Sequence, residues 1–253
     1  METGLSKTVI KAAMNKGAVW LGSGNNKKRI RRAKKNLVPG DLVSIYYSKK
    51  VQEKVPVKPT LIDDQIIFSV WEKPVGLMSG GSRFGDHCSI NREVEKHLGR
   101  TTLLVHRLDL YVWGLMVLAH SKTAASHISK QFQNRETKKI YHAIVQGRLT
   151  DKKIVNSPVD SKPAFSIVKP IEFDKDKSLV EVRILTGRKH QVRRHLASIN
   201  HPVVGDRQYG SEKSGGIQLA AVELGFKSPA DNALLSYELA AHKKPRFLVQ
   251  ETK

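Results

Sequence analysis

Apolar and polar positions along the 253-residue chain repeat with two different periods. Alternation, or a short continuous apolar run between turn residues, predicts a strand; apolar residues three and four apart predict a helix. On that basis strands are expected at residues 65–71, 102–108, 115–120, 139–146, 179–185 and 217–224. Helices are expected at residues 90–98, 122–134 and 189–199. The elements alternate irregularly, without a repeated strand–helix–strand unit. The expected class is therefore α+β, a largely antiparallel mixed central sheet flanked by helices. A smaller unit precedes it. Ser6 can cap a short helix bearing Val9, Ile10, Ala13 and Met14, and Gly17 stops it. Residues 18–21 follow as a strand, residues 22–25 as a turn, and residues 42–47, after Pro39-Gly40-Asp41, as a second strand. Lysine and proline with little apolar periodicity make residues 49–60 a linker. The units expected are thus 1–48, the linker, and a large domain over 61–253.

Composition changes this picture mainly through charge. Lys and Arg number 44 against 23 Asp and Glu, a formal net charge of +21. Such a surplus favours a polyanionic partner, because each phosphate neutralised releases a condensed counterion. The charge is also clustered. Lys27, Lys28, Arg29, Arg31, Arg32, Lys34 and Lys35 put seven cations into nine positions, a contact surface for nucleic acid rather than a merely solvated face. No apolar run approaches the ~20 residues of a membrane span. The N-terminus lacks the basic-then-apolar order of a secretion signal. The single cysteine, Cys88, excludes an internal disulfide and a cysteine-rich zinc site. A cytoplasmic protein without structural metal is the expectation.

Three segments gather polar groups where chemistry is commonly built. In the first, a predicted strand delivers His106-Arg107-Leu108-Asp109 at its end; alone, Asp109 would be read as a turn residue. In the second, alternation puts Lys139, Tyr141 and Ala143 on one strand face, where a tyrosine is ordinarily a packing residue. The third runs from Thr186 through Gly187, Arg188, Lys189, His190, Gln191, Val192, Arg193 and Arg194 to His195. It opens a helix with cations, which oppose the macrodipole, so an anionic partner or a nearby carboxylate must balance them. His106, His190, His195, His201 and the adjacent His87 and Cys88 are read as structural, for want of ligand-like spacing or a shared face.

Taken together, these segments resemble the RluA-type pseudouridine synthases. The resemblance rests on Glu72-Lys73-Pro74-Val75-Gly76-Leu77, HRLD at 106–109, GLMVLA at 114–119, KKIYHAIV at 138–145, and LTGRKHQVRRHLASINHPVVGDRQYG at 185–210. It implies the pseudouridine synthase fold, an RNA partner and an isomerisation that detaches uracil, rotates it and rejoins it through carbon, without a cofactor. It puts the catalytic carboxylate on Asp109, the aromatic that stacks on uracil on Tyr141, and the arginine opposite the carboxylate on Arg188. Arg107 would fill the space left by a flipped-out uridine, with Leu108 turned into the domain. Lys189 and Arg193 join the RNA-contacting cations. The first fifty residues resemble the α-L RNA-binding domain of a ribosomal small-subunit protein, lacking the helix expected before Ser6. That appendage favours ribosomal over transfer RNA, and a monomer is expected. Trp113 stands where the family usually has a small residue before the glycine. An indole reshaping the pocket motivates the competing reading, an inactive RNA-binding or ribosome-assembly protein on the same scaffold. A uracil-releasing glycosidase is a third.

Overall fold

In the computed structural model, residues 3–24, 26–210 and 215–247 are described; Asn25 of the predicted turn and the end of the predicted large domain lie outside them. The chain begins with α1 (Lys7–Asn15), started by the Ser6 hydroxyl, which accepts from the Val9 N–H. It buries Ala13 and Met14 against β1 (Val19–Leu21), the middle strand of an antiparallel trio with β2 (Lys28–Arg29) and β3 (Val43–Ile45). Met14, Val19 and Ile30 form its small core, with Ile10, Leu21 and Ile45 around them. The predicted linker is partly built structure. A short helix, α2 (Lys49–Gln52), buries Gln52, whose amide donates to the Phe84 carbonyl at 2.7 Å. Beyond it the Lys54 carbonyl bonds the His87 imidazole, so free chain starts only near Val55, which is 86% exposed.

The remaining strands make one ten-stranded sheet. Its elements are β4 (Thr60–Asp64), β5 (Phe68–Lys73), α3 (Ile90–Leu98), β6 (Leu103–Leu104), β7 (Trp113–Ala119), α4 (Lys122–Gln133) and β8 (Lys138–Gln146). Then come β9 (Lys153–Val155), β10 (Ser166–Asp174), β11 (Lys177–Ile184), α5 (Gln191–Ser198), β12 (Leu219–Lys227), β13 (Leu234–Glu238) and a 3₁₀ turn, Ala241–Lys243. The order is β4-β5-β7-β12-β8-β11-β10-β9, with β6 on β7 and β13 on β12. Among the described strands only β7 and β12 pair parallel; the other strand pairings are antiparallel, as expected for the class. Ile90 and Val94 of α3 and Val192 and Leu196 of α5 bury into one face of the sheet. Ile128 and Phe132 of α4 pack on the other.

The large departure from the expected elements is at residues 102–108, where the strand stops after Leu104. There the chain leaves the sheet, and its backbone groups find side-chain partners instead of a neighbouring strand. Gly114 marks the return. Its φ is +116°, and a Cβ there would lie 2.2 Å from the Ala221 carbonyl oxygen, so the parallel β7–β12 contact requires glycine.

Candidate active site

The loop between β6 and β7 carries the carboxylate. Leu108, 5% exposed, is driven into the core. Both of its backbone groups are held by one buried hydroxyl: Ser79 Oγ donates to the Leu108 carbonyl at 2.7 Å and accepts from its N–H at 2.9 Å. The Leu110 carbonyl accepts from the Gly76 N–H at 2.9 Å and lies 3.4 Å from Lys73 Nζ. With Leu108 pinned inward, Arg107 is left exposed at the mouth of a cleft and Asp109 points into it. Lys73 itself is fully buried, its ammonium donating to the carbonyls of Pro74 and Leu77 as well. Burial pulls its pKa down to about 8, against the opposing pull of Asp109.

Opposite the loop stands the start of α5. Gln191, buried, fixes the turn before it: its Oε1 accepts from Thr186 Oγ1 at 2.7 Å and from the Arg188 N–H at 3.0 Å. The cations here have the balancing anions that the dipole argument demands. Arg193 Nε and Nη2 grip the two oxygens of Asp206 at 2.7 and 2.8 Å, leaving Nη1 turned to Asp109 Oδ2 at 3.5 Å. Asp206 has no exposed side-chain surface, and it is further held by the N–H groups of Gln208 and Tyr209. Burial works against its ionisation, but the Arg193 fork and those two amides outweigh it and keep its pKa low. Burial likewise works against the Arg193 charge, and its hydrogen bonds to Asp206, then the charges of Asp206 and Asp109, raise its pKa above the usual guanidinium value. His190, at the helix start in a left-handed conformation (φ 55°), shares a 3.0 Å hydrogen bond with the Tyr209 hydroxyl and places Nε2 3.7 Å from Asp109 Oδ2. Desolvation lowers its pKa despite Asp109 beside it, favouring neutral imidazole.

The arginine expected opposite Asp109 is therefore wrong by five positions. Arg188 lies at the cleft wall, but its Nε donates to the Pro163 carbonyl at 3.1 Å. It precedes the helix; Arg193, in the first turn, is the side chain the helix aims across the cleft. Tyr141 is where expected, lining the cleft with Asp109 and Arg193. Burial, reinforced by the Asp109 charge, raises the pKa of its phenol well above normal, so it remains neutral. The adjoining cavity of about 500 Å³ extends past Tyr111, Arg207 and Ile217. Sequence reasoning missed Asp206, whose signal was a lone acid in a cationic motif, and the site contacts of His190 and Lys73.

Trp113 does not reach this cleft. Its ring packs on the opposite sheet face and its Nε1 donates to the Lys243 carbonyl at 2.9 Å. The expectation that it reshapes the pocket is thereby corrected, since alternation along β7 turns it away from the core face that bears Leu108 and Tyr141.

The basic run divides. Arg29 donates to the Gly17 and Ser82 carbonyls, lies over the Trp20 ring and stands 3.6 Å from Asp86; Arg31 pairs with the same carboxylate. These two fasten the N-terminal unit to the large sheet domain, because Asp86 is buried and needs countercharge. Lys27 bonds the Tyr46 hydroxyl at 2.9 Å. Lys28, Arg32, Lys34 and Lys35 are exposed, without an ion-pair partner among the described residues, as is Lys189 beside the cleft.

A sheet of this topology with one carboxylate on a pinned loop, countered by an arginine and flanked by a half-buried tyrosine, can be set against known proteins. A family model described as RNA pseudouridylate synthase matches residues 67–198, more than half of the chain. The chain is 35% identical over 206 residues to the dual-specificity RNA pseudouridine synthase RluA of Vibrio parahaemolyticus, covering 72% of this chain and 82% of that protein. It is 29% identical over 238 residues to ribosomal large subunit pseudouridine synthase C of the same organism, covering 83% and 73%. The solved human RNA pseudouridylate synthase domain containing 1 shares the fold at a TM-score of 0.60 and 20% identity, over 72% of this chain and 83% of that one. The chain belongs to the RNA pseudouridylate synthase family. It is an RluA-type member, an RNA pseudouridine synthase that isomerises uridine in RNA.

Proposed function

We propose that the RNA is ribosomal and that Asp109 is the catalytic carboxylate. The observation that carries the reading is the chain Asp109–Arg193–Asp206. A buried arginine fixed by one acid presents its remaining N–H to another at the floor of a cleft. That arrangement keeps Asp109 oriented for attack on the ribose when base and protein exclude water. The N-glycosidic bond breaks as the Asp109 carboxylate bonds to the anomeric carbon, the freed uracil turns, and its ring carbon displaces the carboxylate to form the carbon–carbon bond, losing its proton while the ring nitrogen gains one. Tyr141 offers a neutral aromatic face to the base. Its raised pKa argues against tyrosinate as the base that takes the ring proton. A uridine inside a stacked helix cannot reach Asp109, so it is flipped out at a cost of a few kcal/mol, and Arg107 at the mouth fills its place. Arg188, at the wall beside Tyr141, is assigned to the RNA rather than to Asp109.

Ribosomal RNA is favoured because the exposed lysines and arginine of the N-terminal unit add a second grip, as an α-L-type domain would. The relatives' names point the same way in part: one acts on the ribosomal large subunit, another has dual specificity. The reaction consumes neither electrons nor energy, so we read it as proceeding without a cofactor, on a monomer, in the cytoplasm. The test is to treat RNA from a strain lacking the gene with purified protein and map pseudouridine. A gained site in ribosomal RNA is expected. A gain confined to transfer RNA overturns the substrate, and no gain overturns the activity assigned here.

A further inference from the structure

Two residues before Tyr141 on β8, Lys139 is 7% exposed. Among the described residues the other deeply buried lysine, Lys73, spends its ammonium on backbone carbonyls. Lys139 does not. Among the described residues its Nζ makes no hydrogen bond and no ion pair, and it lies 5.7 Å from the centre of the Phe132 ring. A desolvated cation left so is costly, and burial together with nearby Arg135 lowers its pKa to about 8. Packing alone does not account for it, since a methionine would fill the space without the charge.

The ammonium borders a cavity of about 380 Å³ that also takes Arg107, Arg135 and Arg188 and has no acidic residue in its lining. His106 in the wall is neutral, its pKa pushed down to about 3 by burial, then by Lys139. Arg107, Tyr141 and Arg188 line the Asp109 cleft as well, so the two chambers share a wall. Four cations without a carboxylate form a site for an anion brought from outside. We propose that Lys139, with Arg107, Arg135 and Arg188, binds a backbone phosphate of the RNA strand immediately beside the flipped uridine. The proposal rests on the reading of the Asp109 cleft as the uridine site. The strand then crosses the mouth of the cleft over Arg107, with the target base on one side and the bound phosphate on the other.

The probe is a fluorescently labelled heptauridylate RNA, with affinity followed by anisotropy from about 50 to 300 mM KCl for wild type, Lys139→Met and Lys139→Arg. Losing one phosphate contact should lower the slope of log affinity against log salt by about 0.7. Lys139→Met is expected to bind about tenfold more weakly at low salt with that reduced slope, while its thermal midpoint equals or exceeds wild type. Lys139→Arg should restore both affinity and slope. A slope unchanged in Lys139→Met, or a lowered midpoint with affinity intact, overturns the phosphate site. Isomerisation dependent on Asp109 would still stand in that case. Wild-type protein that fails to bind the heptamer overturns both.

Discussion

Arg193 and Arg188 separate a motif from a geometry. Both lie in one cationic stretch, and only the helix start decides which faces the carboxylate. Arg193→Lys keeps the charge but loses the fork that spans Asp206 and Asp109. One charge-assisted hydrogen bond is worth about 1.5–3 kcal/mol, so kcat on RNA should fall by about 10- to 100-fold. Arg188→Lys should leave kcat within a few-fold and act on RNA affinity. Equal losses of kcat in the two variants would contradict the assignment. His106 gives a residue-scale prediction of another kind. Its Nε2 accepts from the Val117 N–H at 3.0 Å and its ring stacks on Phe132; burial, then the Lys139 charge, lowers its pKa to about 3, so the folded protein holds it neutral down to about that pH. In the unfolded chain it takes a proton as pH falls through about 6.5. Between those values the unfolded state binds more protons, and stability drops with falling pH. From pH 7 to 5 the loss from this group is about 1–2 kcal/mol. Urea midpoints should show a flatter pH dependence in His106→Gln; identical slopes would refute the role.

At the level of elements, the carboxylate's position depends on the segment after β5 gripping the β6–β7 loop. Ser79→Ala leaves the Leu108 N–H and carbonyl buried without their partner, a cost of about 1–3 kcal/mol. Turnover should fall more than affinity, because Asp109 follows Leu108; a variant with normal kcat and lowered stability would show that the clamp does not set the site. This dependence also explains what the sequence displayed and what it hid. The helices at 90–98 and 122–134 were legible because apolar residues recur at the helical period. The strand ending was not, since the apolar run Leu103-Leu104-Val105 carries no local stop signal and nothing near it reveals that Ser79, 29 residues before Leu108, replaces the ladder. β10 was hidden by Pro170 and by an exposed outer half, and β13 by its brevity. The cationic start of α5 correctly demanded anions, but Asp206 is brought to it by a loop whose fold no periodicity encodes. Asp109, Tyr141 and Arg107 came through the motif resemblance; taken singly, Asp109 reads as a turn residue and Tyr141 as a packing residue.

For the whole molecule, charge serves two purposes. Part of the basic run binds inward: Asp86 takes Arg29 and Arg31, and its own N–H donates to the Lys16 carbonyl at 3.0 Å. Asp86→Ala should loosen the N-terminal unit, seen as faster proteolytic cleavage between residues 48 and 58, while the sheet keeps its thermal midpoint within a few degrees. Cleavage as slow as wild type would mean that the apolar contacts alone hold the unit. Other cations face outward, among them Arg107 and Lys189 at the Asp109 cleft and Lys28, Arg32, Lys34 and Lys35 on the N-terminal unit, as a polyanionic substrate requires. The central claim nevertheless concerns one side chain. Asp109→Asn preserves size and most packing while removing the charge that Arg193 faces. Incubated in single turnover with RNA from a strain lacking the gene, it should still bind RNA but form pseudouridine at least about 10³-fold more slowly than wild type. Conversion at the wild-type rate would contradict the account.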